Sequence, residues 1–331
     1  MRYLITGGAG FIGSHLVDAL VSRGDEVLVL DDMSTGRAEN LSHLTDSDRF
    51  KLVEGSVLDA YVVDSLMRDC DCCFHLASAV GVKLIISQPL NSLLANVRGN
   101  DVVTSAAASH GRRLLLSSSS EIYGKSNGEA LTETSASVLG SPHKSRWAYA
   151  TAKAVGEHLA YGYHRERGLP VVVARIFNTV GPRQAGAYGM VLPRLVKQAL
   201  AAEDLSVYGD GMQSRCFTHV LDTVHALVLL MDCEEATGEV FNVGSSGEVA
   251  IDELARRVIE RTRSSSAVRF VPYANAYGDG FEELGRRTPD TTALSEATGW
   301  SATRTIDEAI DDVIAYQRGA GKHQGSLGLA R

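Results

Sequence analysis

Short β-rich apolar runs alternate with amphipathic stretches over the first two-thirds of the chain. Tyr3–Thr6, Glu26–Leu30, Lys51–Val53, Cys72–Leu76, Arg113–Ser117 and Pro170–Arg175 are predicted strands. Gly13–Arg23 is a predicted helix, with Leu16, Val17, Leu20 and Val21 at helical spacing. Strands separated by helix-length segments specify a parallel sheet covered on both faces. After Asn178 the pattern loosens into the Gly-rich run GPRQAGAYG. A helix over Leu192–Ala202, a strand around Leu205–Tyr208, and helices over Ile251–Thr262 and Thr305–Arg318 then form a smaller C-terminal region. Val240–Val243 reads as a strand returning to the main sheet. The expected organisation is a main domain over 1–178 with returning segments around 216–245, a second region over 179–318, and a flexible Gly-rich tail over 319–331.

Composition narrows the class. The 331 residues are 44% hydrophobic, enough for a full core in one or two domains. A formal charge of −8 argues against nucleic acid as a partner, because phosphate binding needs a basic surface. Small anions stay possible, since a few local Arg residues suffice. The crowded Cys70, Cys72 and Cys73 read as buried reduced thiols, not as a metal site or redox centre. The start MRYLITGG has no signal-peptide pattern, and no apolar run approaches the ~18 residues of a membrane span. The expectation is a cytoplasmic protein with no membrane partner.

Three segments carry candidate chemistry. Gly7, Gly10 and Gly13 join the first strand to the first helix with G-x-x-G-x-x-G spacing. Such a turn lets backbone approach a pyrophosphate, which then sits on a helix N-terminus. Asp31 ends the second strand, where a carboxylate would take ribose hydroxyls. With Asp32 beside it, it would repel a 2′-phosphate, so NAD is favoured over NADP. Tyr149 and Lys153 form Y-x-x-x-K. On a helix the two share a face, so the ammonium is expected to lower the phenol's pKa and favour phenolate. Leu114-Leu115-Leu116 leads into Ser117-Ser118-Ser119-Ser120-Glu121 at a strand's C-terminal end, where open α/β sheets build their sites. Those hydroxyls and that carboxylate suit a polyhydroxylated substrate.

At these residues the chain resembles the extended short-chain dehydrogenase family of nucleotide-sugar epimerases, dehydratases and decarboxylases. The resemblance covers residues 1 to about 318. It is carried by GGAGFIG, Asp31, His75-Leu76-Ala77, SSSSEIYG, Y-x-x-x-K, Phe177-Asn178-x-x-Gly181-Pro182-Arg183, Val207-Tyr208-Gly209-Asp210-Gly211 and Arg287-x-Pro289-Asp290. It implies a Rossmann-like, doubly wound parallel sheet in an α/β fold, with a smaller C-terminal α/β region that binds a nucleotide sugar. It implies that Gly7, Gly10, Phe11, Ile12, Gly13, Asp31, Leu76, Ala77, Ser78, Asn96 and Ser118 bind NAD together with Tyr149 and Lys153. Asn178 and Arg287 would contact the substrate's phosphates or sugar, and Tyr208 would lie by the uracil. It also implies a homodimer formed through a helix bundle that includes the Tyr–Lys helix.

Within the family, Ser119-Ser120-Glu121 is most similar to the Thr-Ser-Glu of UDP-glucuronic acid decarboxylases. The 4,6-dehydratases carry Thr-Asp-Glu there, and many 4-epimerases lack the Glu. Arg215-Cys216-Phe217-Thr218 and Arg146-Trp147-x-Tyr149 point the same way. The departures are Ser119 for Thr, Ser56 for an Asp near the adenine, and Gly189-Met190-Val191 for Gly-Arg-Val. The implied reaction is C4 oxidation by Tyr149, Lys153 and NAD, then loss of CO2 to give a UDP-4-keto-pentose or UDP-xylose. Ser119, Ser120 and Glu121 would steer the sugar and handle protons, with Arg215 near the carboxylate or diphosphate. A UDP-glucose or UDP-glucuronate 4-epimerase is the alternative, and a non-catalytic NAD sensor a further one.

Overall fold

The computed structural model describes residues 1–79, 89–126, 128–186, 190–273 and 286–319. Gly189 and the tail from residue 320 onward lie outside the described residues.

The main sheet holds seven parallel strands: β1 (Arg2–Thr6), β2 (Glu26–Asp31), β3 (Phe50–Glu54), β4 (Cys72–His75), β5 (Arg113–Ser119), β6 (Val171–Ile176) and β7 (Val240–Val243). Their order is β7-β6-β5-β4-β1-β2-β3. The winding direction reverses between β1 and β4, and that crevice is where doubly wound sheets bind ligands. Helices α1 (Phe11–Arg23), α2 (Ala60–Arg68), α3 (Pro89–His110) and α4 (Ala148–Arg167) follow in the first half of the chain. The second half adds α5 (Val191–Leu200), α6 (Val220–Asp232), α7 (Ile251–Thr262) and α8 (Ile306–Gln317).

Alternation along the strands assigns the two faces. Tyr3, Ile5, Val27, Val29, Phe74 and Leu115 pack with Leu16, Leu20, Val224 and Leu227 of α1 and α6. Leu4, Leu30, Cys73, Leu114 and Leu116 pack on the opposite face with Val63, Met67, Val103 and Ala160 of α2, α3 and α4. Each fully buried Val, Leu or Ile contributes roughly 1.5–3 kcal/mol, so a one-residue slip would reverse the whole pattern. Cys70 and Cys73 have the spacing of a C-x-x-C pair, but both thiols belong to this second core. Burial pushes the Cys70 thiol up to about 12, which makes it a poor ligand or nucleophile.

Boundaries differ from the sequence reading at informative places. Strand β5 runs two residues past Ser117, because Ser118 and Ser119 stay in register with Arg175 and Ile176 of β6. The ladder thus carries the serines to the sheet edge. Helix α1 starts at Phe11 rather than Gly13, with Gly10 as its N-cap and no side chain capping it.

The C-terminal region has a core of its own. Leu192, Leu195 and Val196 of α5 meet Leu254 and Val258 of α7 and Ile310 and Val313 of α8, over Leu205 and Val207. Strand Leu205–Tyr208 pairs in parallel with Val268–Val271. A two-residue pair, Thr288–Pro289 with Ala130–Leu131, joins the two halves of the chain. Among the described residues, no helix is long and apolar enough to cross a membrane.

Candidate active site

The C-terminal ends of the sheet strands and the C-terminal region enclose one cavity of about 870 Å³. Its floor begins at the Gly-rich turn. Gly7 has φ +73°, and a Cβ there would lie 2.7 Å from the Ala77 nitrogen. At Gly13 a Cβ would lie 2.2 Å from the Gly7 carbonyl oxygen, so only glycine lets α1 dock on β1 this closely. A Cβ on Gly10 would meet nothing but the Gly7 carbonyl at 3.1 Å, so this position opens to the cavity. The uncapped N–H groups of α1 and its dipole therefore face a space that suits a pyrophosphate.

Asp31 sits at the end of β2 with Oδ2 accepting from the Ala9 N–H at 2.9 Å and Oδ1 from Met33 at 3.0 Å. Burial pushes its pKa up, opposed by those N–H groups. The fixed carboxylate lines the same cavity as Phe11, Ile12, Leu76, Ala77 and Ser78. Ser118 Oγ also lines it and is buried without a protein partner. A buried hydroxyl left over in this way needs a ligand or water to satisfy it. The pyrophosphate cradle, the ribose carboxylate and the leftover hydroxyl together fit a dinucleotide.

Asn96 is the exception among the expected cofactor contacts. It does not line the cavity. Its Oδ1 accepts from Ser78 Oγ at 2.8 Å and from the Ala79 N–H at 3.0 Å, and Nδ2 donates to the Ala79 carbonyl at 3.1 Å. Asn96 thus holds the Leu76–Ala79 loop from behind.

Tyr149 lies in the first turn of α4, with Lys153 one turn on. Gly156 lets α4 press against α3, since a Cβ there would be 2.4 Å from Asn100 Nδ2. The Lys153 ammonium is buried, 5.8 Å from the Tyr149 ring centre, and donates to the Ser117 carbonyl at 2.8 Å. Burial lowers its pKa to about 8, with Glu157 opposing. The expectation that Lys153 depresses the phenol is not met. Burial pushes Tyr149 up to about 12, and the Glu121 charge adds to the rise. Hydrogen bonding with the Ser119 and Ser78 hydroxyls and the Arg146 charge pull the other way. Desolvation outweighs a lysine held beside the ring rather than at the hydroxyl.

Ser119 Oγ accepts from the Glu121 N–H at 3.2 Å and starts the short helical turn Ser120–Tyr123. That turn aims Glu121 at a set of arginines. Arg146 donates to Glu121 Oε2 at 2.6 Å and to Oε1 at 3.0 Å. Arg287 Nη1 reaches Glu121 Oε1 and Ser120 Oγ, each at 3.4 Å. Burial raises the Glu121 pKa, but Arg287, Arg146 and Arg215 outweigh it and leave it below its ordinary 4.5. The proton-handling role expected of Glu121 is therefore narrowed: at neutral pH it is an anion, able to accept but not to donate. Arg215 is lowered to about 10 by burial and by Arg287, and remains a cation at neutral pH.

Asn178, Tyr208, Arg215 and Arg287 all line the cavity, with Asn178 Nδ2 donating to the Cys216 carbonyl at 3.1 Å. The sequence reading missed Arg146, Arg194, Gln213 and Tyr273 as site residues. Arg146 could have been found from its place three residues before Tyr149. Arg194 stacks 4.4 Å from the centre of the Tyr208 ring, a pairing between a helix and a strand that no local spacing reveals. Tyr273 had no sequence signal.

The fold and the cavity define a dinucleotide-dependent enzyme of the extended short-chain dehydrogenase class. Residues 4–313 match the family of GDP-mannose 4,6 dehydratase, and the chain belongs to that family. UDP-N-acetyl-alpha-D-glucosaminuronate decarboxylase of Bacillus cytotoxicus is 38% identical over 318 residues, covering 96% of this chain and 98% of the relative. UDP-glucuronic acid decarboxylase 1 of Arabidopsis thaliana is 36% identical, covering 95% of this chain and 69% of the relative. A solved structure of UDP-glucuronic acid 4-epimerase from Bacillus cereus, in complex with UDP-glucuronic acid and NAD, superposes with a TM-score of 0.86 at 26% identity, covering 97% of this chain and 100% of that one.

Proposed function

We propose that the chain is an NAD-dependent decarboxylase of a UDP-linked hexuronate, with UDP-glucuronate as substrate and a UDP-4-keto-pentose or UDP-xylose as product. The observation that carries this reading is the gathering of Arg146, Arg215 and Arg287 around the single carboxylate of Glu121, beside Tyr149. Three cations against one anion leave an excess of positive charge where a sugar acid and a diphosphate need it. The names of the decarboxylase relatives support the same reading.

NAD, held along Gly7–Gly13 and Asp31, would supply the hydride acceptor for C4 and later the hydride donor. Tyr149 takes the proton of the C4 hydroxyl, assisted by the Ser119 hydroxyl at its oxygen. The resulting 4-ketone is β to the C5 carboxylate. The C5–carboxylate bond breaks, its electron pair enters the ketone as an enolate, and CO2 leaves. C5 then takes a proton from water. Ser120 and the anionic Glu121 orient the sugar, and Arg215 with Arg287 holds the acid or the diphosphate. If the hydride returns to C4, Tyr149 gives its proton back to O4 and the net reaction is not a redox change.

A 4-epimerase shares the C4 oxidation, and the Bacillus cereus structure favours it as the second reading. UDP-glucuronate turnover separates the two. We expect CO2 release, and UDP-N-acetylglucosaminuronate run beside it tests the group at C2. C4 inversion without CO2 would overturn the decarboxylase reading. A cytoplasmic homodimer formed through the α4 bundle belongs to the same proposal. Sedimentation at micromolar concentration should give twice the monomer mass, and a monomer mass would refute the dimer.

A further inference from the structure

Behind the cavity lies a chain of buried polar groups that the mechanism above does not use. Glu157 stands on α4, one turn beyond Lys153, and is buried. Its carboxylate accepts from Arg175 of β6 twice, Nε to Oε1 at 3.0 Å and Nη2 to Oε2 at 2.8 Å. Arg175 Nη1 donates onward to the Tyr123 hydroxyl at 2.9 Å and to the Glu133 carbonyl at 2.7 Å. The Tyr123 hydroxyl donates to Asn242 Oδ1 of β7 at 2.6 Å. Asn242 Nδ2 donates to the Leu131 carbonyl at 2.8 Å and to the Asp290 carbonyl at 3.1 Å. Those carbonyls belong to, or adjoin, the pair Ala130–Leu131 and Thr288–Pro289, which begins one residue after Arg287.

Every proton in this chain has one direction. Arginine can only donate, so the Tyr123 oxygen must accept from it and spend its own proton on Asn242. That fixes the Asn242 amide with its nitrogen towards the two carbonyls. Tyr123 is 1% exposed and Asn242 fully buried, so water cannot substitute for a lost member.

We propose that Glu157, Arg175, Tyr123 and Asn242 form a positioning frame that sets Arg287 against Ser120 and Glu121, joining it to the helix that carries Tyr149 and Lys153. The proposal rests on the reading of this cavity as the hexuronate site. The Arg287 contacts to Ser120 Oγ and Glu121 Oε1, both 3.4 Å, stand at the outer limit of hydrogen bonding, so a shift of a few tenths of an ångström ends them. None of the four frame residues lines the cavity, which makes them positioning residues rather than catalytic ones.

Glu121 reports the position of Arg287. The charged and titratable groups that face it are Arg146, Arg215, Arg287 and Tyr149. Arg287 stands first among the cations that hold its carboxyl below 4.5. A carboxylate with a lowered pKa stays ionised as pH falls, so activity that needs the anion persists below the ordinary range. If Arg287 recedes, the Glu121 pKa rises and that activity is lost at higher pH.

Tyr123→Phe tests the frame in the full-length, NAD-loaded protein. It removes one oxygen, leaving Asn242 Oδ1 without its donor and Arg175 Nη1 with only the Glu133 carbonyl. We expect NAD affinity within about twofold of the parent, turnover of UDP-glucuronate lower by roughly 10- to 100-fold, and the acid limb of the pH profile moved upward. Unchanged turnover with an unchanged limb would overturn the frame. So would a turnover loss that matches loss of NAD binding while the limb stays in place. Should Tyr123→Phe not fold, Asn242→Ser carries the same expectations. If the parent inverts C4 without releasing CO2, the decarboxylase reading falls, and the same comparison is then made on the inverted product.

Discussion

Tyr149→Phe lowers CO2 release from UDP-glucuronate by about 10²–10⁴-fold, the span of a general base, while NAD still binds. The substitution removes one oxygen from a buried ring and leaves the Lys153 contact with the Ser117 carbonyl in place. Ser78 keeps its bond to Asn96, so the loop over the cofactor region is undisturbed. Only the proton acceptor for the C4 hydroxyl is lost. Burial, with the Glu121 charge, pushes the phenol up to about 12. The loss should appear in turnover rather than in substrate affinity. NAD affinity by titration calorimetry and CO2 release by isotope counting make the comparison. Turnover that survives within a few-fold would remove Tyr149 from the chemistry. A non-catalytic NAD sensor would instead show no turnover before the change and the same NAD response after it.

Glu121→Gln is expected to lower CO2 release by about 10²-fold, the cost of misplacing a bound substrate, with C4 oxidation less affected. The carboxylate accepts two hydrogen bonds from Arg146 and one from Arg287. An amide offers one oxygen and turns an N–H₂ group towards guanidinium donors, so one arginine loses its partner. The charge balance also changes, from three cations facing one anion to three cations alone. A proton-donating carboxyl would need a pKa near the working pH. Glu121 is held below 4.5, so its loss acts through the arrangement of the arginines and the sugar, not through a missing acid. With Tyr149 and Lys153 intact, NADH and a 4-keto sugar should build up after mixing. Stopped-flow NADH absorbance beside CO2 release reads both steps. Near-normal turnover would show that Glu121 has no part in the reaction.

Strands with strict apolar runs were legible from the chain itself. Tyr3–Thr6 misses the observed β1 by one residue at its start and Pro170–Arg175 is offset from β6 by one residue at each end; the runs are visible because a parallel strand buried on both faces is mostly apolar. Helix α6 was harder. It is apolar nearly all round, with Leu227, Val228, Leu230 and Met231 all buried, so it has no polar face to give a period. Helix α3 mixes Asn, Ser and Ala with its apolar residues and shows no clear stripe.

The site divides in the same way. Gly7, Gly10, Gly13, Asp31, Tyr149 and Lys153 follow from local spacing, and all of them line the cavity. The Glu121–Arg146–Arg287 cluster depends on contacts across 25 and 166 residues, and no pattern along the chain encodes those. The behaviour of Tyr149 was misjudged for a related reason. Helical spacing places Lys153 near it but says nothing about how dry the surroundings are.

Strand β7 has a consequence for how the chain is made. It closes the sheet by pairing with β6, yet it is separated from β6 by residues 177–239. Until Val240 has left the ribosome, Val173, Ala174, Arg175 and Ile176, the residues that β7 pairs with, lack their neighbour and leave an open sheet edge. Such an edge is a template for pairing with another chain. A nascent chain must carry that exposure through the synthesis of more than sixty residues, about 3–12 s at 5–20 residues per second. A fragment cut near residue 178 would keep the Gly-rich turn, Tyr149 and Lys153 and still leave the edge uncovered. Cutting the chain there would thus convert a covered strand into an aggregation surface.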